Sequence, residues 1–343
     1  MSIACPMTSA RDECSVCLKY IRQTSRYAKY QLIKHLHFSH INFREKHPRS
    51  ETALKMHWQY AALLFSTAFS GALAAKASPG CGKAPVVVGP DASTKPLNVT
   101  VGGRARSYFV KLPDNYDNKH PYRLIFTLHA LGGTAQQVTI GTGGYLPYYG
   151  LPSLVNDTVG AIYVAPDGIS NGWQNTGGQD VTFISTLVKT LNDDLCIDEN
   201  LRFSTGFSYG SAMSYAIACS LAKDFRAVAA LSGNPQISGT CAGGNDPIAY
   251  YGQHGVSDQV LPISGGRQMR DRFVKNNGCT AQTPAEPAAG SGTHIKTVYQ
   301  GCDPKYPVVW VAFDGPHTPQ PKDAGATETF SHHETWEFFK QFT

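Results

Sequence analysis

The chain has 343 residues, 42% hydrophobic and 16% charged, which suits a soluble globular core of one large domain or two. Its net charge of +5 is misleading: of 30 basic and 25 acidic residues, ten and four lie within residues 1–55 and none within 56–74. The remaining 20 basic and 21 acidic residues nearly balance, so the main body gives no sign of a nucleic-acid partner.

Residues 1–55 are basic and lack a core pattern. Cys14-x-x-Cys17 with His35 and His40 has a loose zinc-finger look, but the gap between the pairs is too long and apolar anchors are misplaced. The segment reads as a disordered extension or a product of an upstream start codon. From Met56 the pattern changes to the uncharged apolar run Tyr60–Phe69, then small residues ending in Ala72-x-Ala74, with Ala75-x-Ala77 as a second cleavage choice. The run is short for a span of about 20 residues, so 56–74 is expected to be a signal peptide. Translation is then expected to begin at Met56 and the mature enzyme near Ala75 or Ser78, which makes 75–343 a secreted, extracellular domain with no stable membrane association.

Nine cysteines divide in the same way, three in the extension and six beyond it: Cys81, Cys196, Cys219, Cys241, Cys279 and Cys302. An even set in an exported chain points to disulfides, with 15 possible connectivities and nothing to choose among them. Asn98-Val99-Thr100 and Asn156-Asp157-Thr158 are acceptors for N-glycosylation.

In chain order, Tyr108–Leu112 alternates as a strand and stops at Pro113. Leu124–His129 reads as a buried strand that runs into Ala130-Leu131-Gly132-Gly133. His129 is expected to brace that loop rather than to react. Ala161–Pro166 is a further strand. A Gly- and Asn-rich loop with Trp173 leads to a helix with Val181, Ile184, Leu187, Val188 and Leu191 on one face and Asp180 as its N-cap. Trp173 either stacks on a substrate ring or plugs the core. The run 202–213 reads strand, sharp turn, helix, and its Gly206-x-Ser208-x-Gly210 matches the nucleophile elbow. Ala227–Gly233 is a strand, and 247–258 a strand and turn ending at Asp258. Residues 264–278 form a helix and 280–293 a loop. Val308–Phe313 is a last strand, left through Asp314 to His317, and 331–342 a last helix. There is no internal repeat, Walker motif, H-E-x-x-H or dinucleotide fingerprint.

This alternation predicts an α/β fold: a single-domain α/β-hydrolase with a mostly parallel central sheet flanked by helices. Ligands of such sheets sit beyond the carboxyl ends of the strands. Ser208, Asp258 and His317 each follow a strand, in the order Ser, Asp, His, and so are expected to meet at that edge. Ser208 is the expected nucleophile, His317 its base, and Asp258 the group that orients the imidazole. The backbone N–H groups of Leu131 and Tyr209 are the expected oxyanion hole. Asp246, Asp303 and Asp314 are weaker choices for the acid. His254 is expected to be a structural partner of Asp258, and His332 and His333 to be surface residues.

Residues 80–343 resemble the secreted fungal feruloyl esterases, in the group related to polyhydroxybutyrate depolymerases and family 1 carbohydrate esterases. The matching pieces are Leu112–Tyr116, Leu146-Pro147-Tyr148-Tyr149-Gly150-Leu151, Gly206–Gly210, Gly243–Pro247 and His254-Gly255-x-x-Asp258. The resemblance implies a serine esterase that releases ferulic acid from plant cell-wall arabinoxylan or pectin through an acyl-enzyme. It implies no metal and no cofactor; a monomer is expected, with Trp173 and Tyr209 as candidates to line the acyl pocket. Acetyl xylan esterase and polyhydroxybutyrate depolymerase are the alternatives, and a non-catalytic binding protein on a hydrolase fold is the more distant one. Two departures stand out. Ser211-Ala212 replaces a usual pair of glycines behind the elbow, and Ala130 stands where Gly or Pro is usual.

Overall fold

The alternating strands from residue 97 onward assemble into one nine-stranded sheet. The computed structural model describes residues 74–238, 241 and 244–343. The expected extension at 1–55, the leader up to Leu73, and Cys5, Cys14, Cys17, His35 and His40 lie outside the described residues. The strands are β1 Leu97–Val101, β2 Arg104–Lys111, β3 Tyr122–Leu128, β4 Ala161–Pro166, β5 Ile197–Phe207, β6 Ala227–Leu231, β7 Ala249–Gly255, β8 His294–Val298 and β9 Val308–Phe313. Their spatial order is β1-β2-β4-β3-β5-β6-β7-β9-β8. The inner six, β4 to β9 in that order, run parallel, and β1, β2 and β8 are antiparallel at the edges.

Burial explains the arrangement. Every residue of β3, β4, β6, β7 and β9 is buried, as parallel strands covered on both faces require. On one face pack α2 (Gln179–Asp194), α3 (Tyr209–Ser220) and α4 (Ile263–Asn276), bringing Phe183, Leu187, Met213 and Phe273 against Leu124, Phe126 and Trp310. On the other pack α1 (Ala135–Ile140) and α5 (Ser331–Lys340), bringing Val138, Trp336 and Phe339 against Ile125, Phe203 and Val311. The chain leaves β3 toward β4 on one side, and β5 lies on the other. The order therefore reverses beside β3, and such a switch point opens a crevice at the strands' carboxyl ends.

The short elements β1, β8 and α1 were not expected. The first two are half-exposed edge strands without a long apolar run, and α1 is a six-residue helix held by a Thr134–Gln137 capping box. Asp180 is not the N-cap of α2. Gly178 holds that position, the Asn175 side chain accepts from the N–H groups of Asp180 and Val181, and Asp180 lies buried in the first turn against Arg106 at 2.8 Å. The six domain cysteines pair as Cys81–Cys196, Cys219–Cys241 and Cys279–Cys302.

Candidate active site

The β3–β5 register sets Leu128 opposite Gly206, so the loop after β3 and the elbow after β5 lie level. The elbow needs its glycines. A Cβ on Gly206 would stand 2.6 Å from the Gly210 carbonyl, and one on Gly210 would overlap the Leu128 carbonyl oxygen. Between them Ser208 takes φ 57°, ψ −114°, a conformation disfavoured for a residue with a side chain, and its N–H bonds the Leu231 carbonyl at 2.9 Å. Ser208 directly precedes α3, whose N-terminus favours negative charge. Seven described non-glycine residues have positive φ: Tyr148, Tyr149, Ser170, Asn171, Asn175, Ser208 and Ser232. All lie in the connections that follow β3 to β6, so backbone strain is concentrated around this crevice.

Asp258 and His317, 59 residues apart, are joined by a 2.6 Å bond between Oδ2 and Nδ1. The other carboxylate oxygen accepts from the N–H groups of Val260 and Leu261 at 2.9 and 2.8 Å. His254 Nε2 stands 3.3 Å from Oδ2 and also bonds the Leu261 carbonyl, so His254 braces the acid as expected. Burial pushes the Asp258 carboxyl up, but the hydrogen bonds of His254, His317 and Leu261, with the charge of His317, outweigh it and hold the group at about 2. An ionised Asp258 accepts the Nδ1 proton and so fixes the orientation of the His317 ring. Phe207, next to Ser208, packs 4.5 Å from the His317 ring. Among the described residues neither the Ser208 hydroxyl nor His317 Nε2 has a hydrogen-bond partner. The other acids are engaged elsewhere: Asp314 with the Gly292 N–H, Asp303 with the Lys305 N–H and Asp246 with Lys223.

The N–H groups of Leu131 and Tyr209 likewise make no hydrogen bond among the described residues. The loop that carries Leu131 is tightly held. His129 is fully buried, donates from Nδ1 to the Ala130 carbonyl and accepts the Gly168 N–H at Nε2, which fixes its tautomer. Burial holds this imidazole below its usual range and neutral, as a brace.

Trp173 is fully buried, and its indole N–H donates to the His129 carbonyl at 2.8 Å. It is therefore a core plug behind the loop and not a stacking wall for substrate, which corrects the acyl-pocket expectation. Leu131, 65% exposed, and Tyr209, which flanks Ser208, instead bring their side chains together over Gly172. A Cβ on Gly172 would stand 3.0 Å from Tyr209 Cε1 and 3.2 Å from Leu131 Cδ1.

Two tyrosines of the Pro147–Leu151 neighbourhood form ties that sequence reasoning missed. Tyr149 is buried; its hydroxyl donates to the Leu128 carbonyl at 2.7 Å and accepts from the Phe207 N–H at 3.0 Å. The hydroxyl of Tyr145 accepts the Ala130 N–H at 2.9 Å. The only sequence signal was the Leu146–Leu151 motif, because the left-handed turn at Tyr148–Gly150 that aims Tyr149 is not legible in residue types. Ser211, the departure behind the elbow, packs its hydroxyl against Gly233, where no side chain would fit. Of the two late histidines, His333 is exposed but His332 is buried, contrary to expectation.

The strand order, the switch point and the elbow define an α/β-hydrolase fold of the esterase class. No family model matches the chain. The chain is 50% identical over 285 residues to feruloyl esterase D of Neurospora crassa, covering 82% of this chain and 96% of that protein. It is 46% identical over 262 residues to feruloyl esterase C of Emericella nidulans, covering 76% and 90%. Among solved structures it is similar to a ferulic acid esterase from Anaeromyces mucronatus in complex with ferulic acid, at 16% identity and TM-score 0.47 over 74% of this chain and 96% of that one. An acetyl xylan esterase from Aspergillus awamori matches at 17% identity and TM-score 0.48 over 68% and 94%. The chain belongs to the feruloyl esterase family, in its C and D group, and is a carboxylic ester hydrolase.

Proposed function

We propose that this enzyme releases ferulic acid from feruloylated plant cell-wall polysaccharide, arabinoxylan or pectin, through an acyl-enzyme at Ser208. The observation that carries the site assignment is the ionised Asp258 bonded to His317 Nδ1, whose ring packs on the residue beside the strained Ser208. His317 Nε2 takes the hydroxyl proton as Oγ attacks the ester carbonyl. The Leu131 and Tyr209 N–H groups receive the oxyanion, aided by the N-terminus of α3. Collapse breaks the bond to the sugar oxygen, which takes the proton from His317. Water, deprotonated by His317, then cleaves the feruloyl-enzyme. Leu131 and the Tyr209 ring cover the aromatic acid.

The reading includes export and a monomeric enzyme. Residues 1–55 are a basic extension and 56–74 a leader. Cleavage after Ala74 keeps Lys76, which bonds Asp198 through its N–H and Glu199 through its ammonium. Asn98 lies on the exposed edge strand β1, where a glycan has room.

The test is hydrolysis of methyl ferulate, methyl p-coumarate and p-nitrophenyl acetate by the enzyme and its Ser208→Ala variant. Cinnamate turnover that vanishes in the variant supports the reading. Acetate turnover alone keeps the serine chemistry and rejects the feruloyl substrate.

A further inference from the structure

His332 is an oddity of this domain. It is 6% exposed, yet neither ring nitrogen has a hydrogen-bond partner among the described residues, and its Nδ1 is fully buried. Buried polar groups are normally paired, and an unpaired one costs roughly 1–3 kcal/mol. Every other described histidine that is buried or half-buried has a partner: His120, His129, His254, His294 and His317.

What surrounds the ring supplies a reason. Glu328 lies one turn earlier and His333 next to it. Nε2 of His332 is 4.0 Å from Glu328 Oε2, and Nε2 of His333 is 3.9 Å from the same oxygen. The three atoms all lie within 4.8 Å of one another, and the two rings are 4.2 Å apart. The cluster belongs to the N-terminal end of α5 and is not among the residues of the esterase site.

We propose that Glu328, His332 and His333 bind a divalent transition-metal ion of the zinc class. Two imidazoles and one carboxylate suit Zn²⁺, Ni²⁺ or Cu²⁺ and disfavour Mg²⁺ and Ca²⁺, which prefer all-oxygen shells. Ligand bonds of about 2.0–2.2 Å place neighbouring donors of a tetrahedral centre about 3.3–3.5 Å apart. The two histidine–carboxylate distances therefore close by about half an ångström, and no donor pair, all within 4.8 Å, has to close by more than about 1.5 Å. That movement is available, because the Glu328 side chain is 75% exposed and His333 55%, while His332 is held by packing. Three protein donors leave the fourth position to water. His332 also lines a cavity of about 10 Å³ with Thr335, whose hydroxyl is unpartnered too.

The ion would act as a clip, not as a reactant. Glu328 lies near the far end of the connection, residues 314–330, that carries His317 from β9 to α5. A metal bond from Glu328 to two residues of α5 closes that connection at its far end. The same ring rests against Gly150, beside Tyr149, so the clip also backs the turn that aims the Tyr149 hydroxyl.

The test is isothermal titration of the purified, metal-stripped enzyme with ZnCl₂, with MgCl₂ in parallel, together with thermal unfolding with and without each salt. The variants are Glu328→Gln and His333→Ala, both exposed and so not at risk of misfolding. The expected result is one Zn²⁺ per chain, a Tm raised by Zn²⁺ and not by Mg²⁺, and affinity at least about tenfold weaker in each variant. Activity of the stripped variants on methyl ferulate stays at the level of the stripped parent. Absence of binding, or both variants binding Zn²⁺ as tightly as the parent, overturns the proposal.

Discussion

Replacing Tyr149 by Phe removes one oxygen and tests the reasoning about the oxyanion hole directly. That hydroxyl joins the Leu128 carbonyl to the Phe207 N–H, at 2.7 and 3.0 Å. Leu128 lies three residues before Leu131, and Phe207 two before Tyr209, so the tie spans the two backbone donors proposed for the oxyanion. Both groups are buried and would lose a partner. At roughly 1–3 kcal/mol for each, the variant should lose about 2–6 kcal/mol of stability. Its kinetic effect is separate. Losing a whole oxyanion donor costs about 10²–10³-fold in kcat, and loosening the frame should cost less, about 10- to 100-fold. Because the oxyanion exists only in the transition state, KM for methyl ferulate should change little. The assay is steady-state kinetics well below the variant's Tm, with affinity for a boronic acid transition-state analogue measured alongside. Tyr163→Phe is the control, since its buried hydroxyl has no partner to lose. A Tyr149→Phe enzyme with kcat within twofold of the parent at equal folded fraction would refute the tie as a positioning device and leave it as packing alone.

Three further outcomes are expected. The Asp258 carboxyl is held at about 2, below its unfolded value of about 3.9, so it contributes stability above pH 5 that is lost as pH falls toward 2. Urea unfolding at pH 6 and pH 3 should show the parent losing about 1 kcal/mol more than Asp258→Asn, and equal losses would contradict it. Gly172 has extended backbone (φ −158°), so Gly172→Val should fold while crowding Leu131 and Tyr209; KM should rise for methyl ferulate and not for p-nitrophenyl acetate, and an equal rise for both would reject this wall as the acyl pocket. Removing the Cys81–Cys196 bridge by a double Ser substitution should cost more than removing Cys279–Cys302, about 5 against about 3 kcal/mol for separations of 115 and 23, and the reverse order by calorimetry would discount chain entropy as the cause.

Much of this site is legible in residue order because the chemistry demands local patterns. The elbow requires glycines on either side of Ser208, and these can be read without coordinates. Central strands covered on both faces must be continuously apolar, which marks β3, β4, β6 and β9. Edge strands β1 and β8 carry no such mark, and they were missed for that reason. Asp258 and His317, which the structure joins by a 2.6 Å bond, were candidates because each follows a strand of a parallel sheet, which places both at one edge.

What residue order leaves open is the choice of partner across the fold. Trp173 was equally suited to a pocket wall and a core plug; the His129 carbonyl, brought beside it by the β3–β4 pairing, decided for the core. Six cysteines permitted many pairings, and the folded chain brings them together as one set of three. Tyr149 gained its role from a turn of three consecutive left-handed residues, and His332 its burial from the packing of α5 on that turn. The sequence by itself determined the central strands, the elbow, the order of the proposed catalytic groups and the near-neutral charge of the domain, because these depend on neighbours a few residues away. Only the tertiary structure decided which distant groups meet, because hydrogen bonds and van der Waals contacts act over a few ångströms and depend on how nine strands are ordered in space.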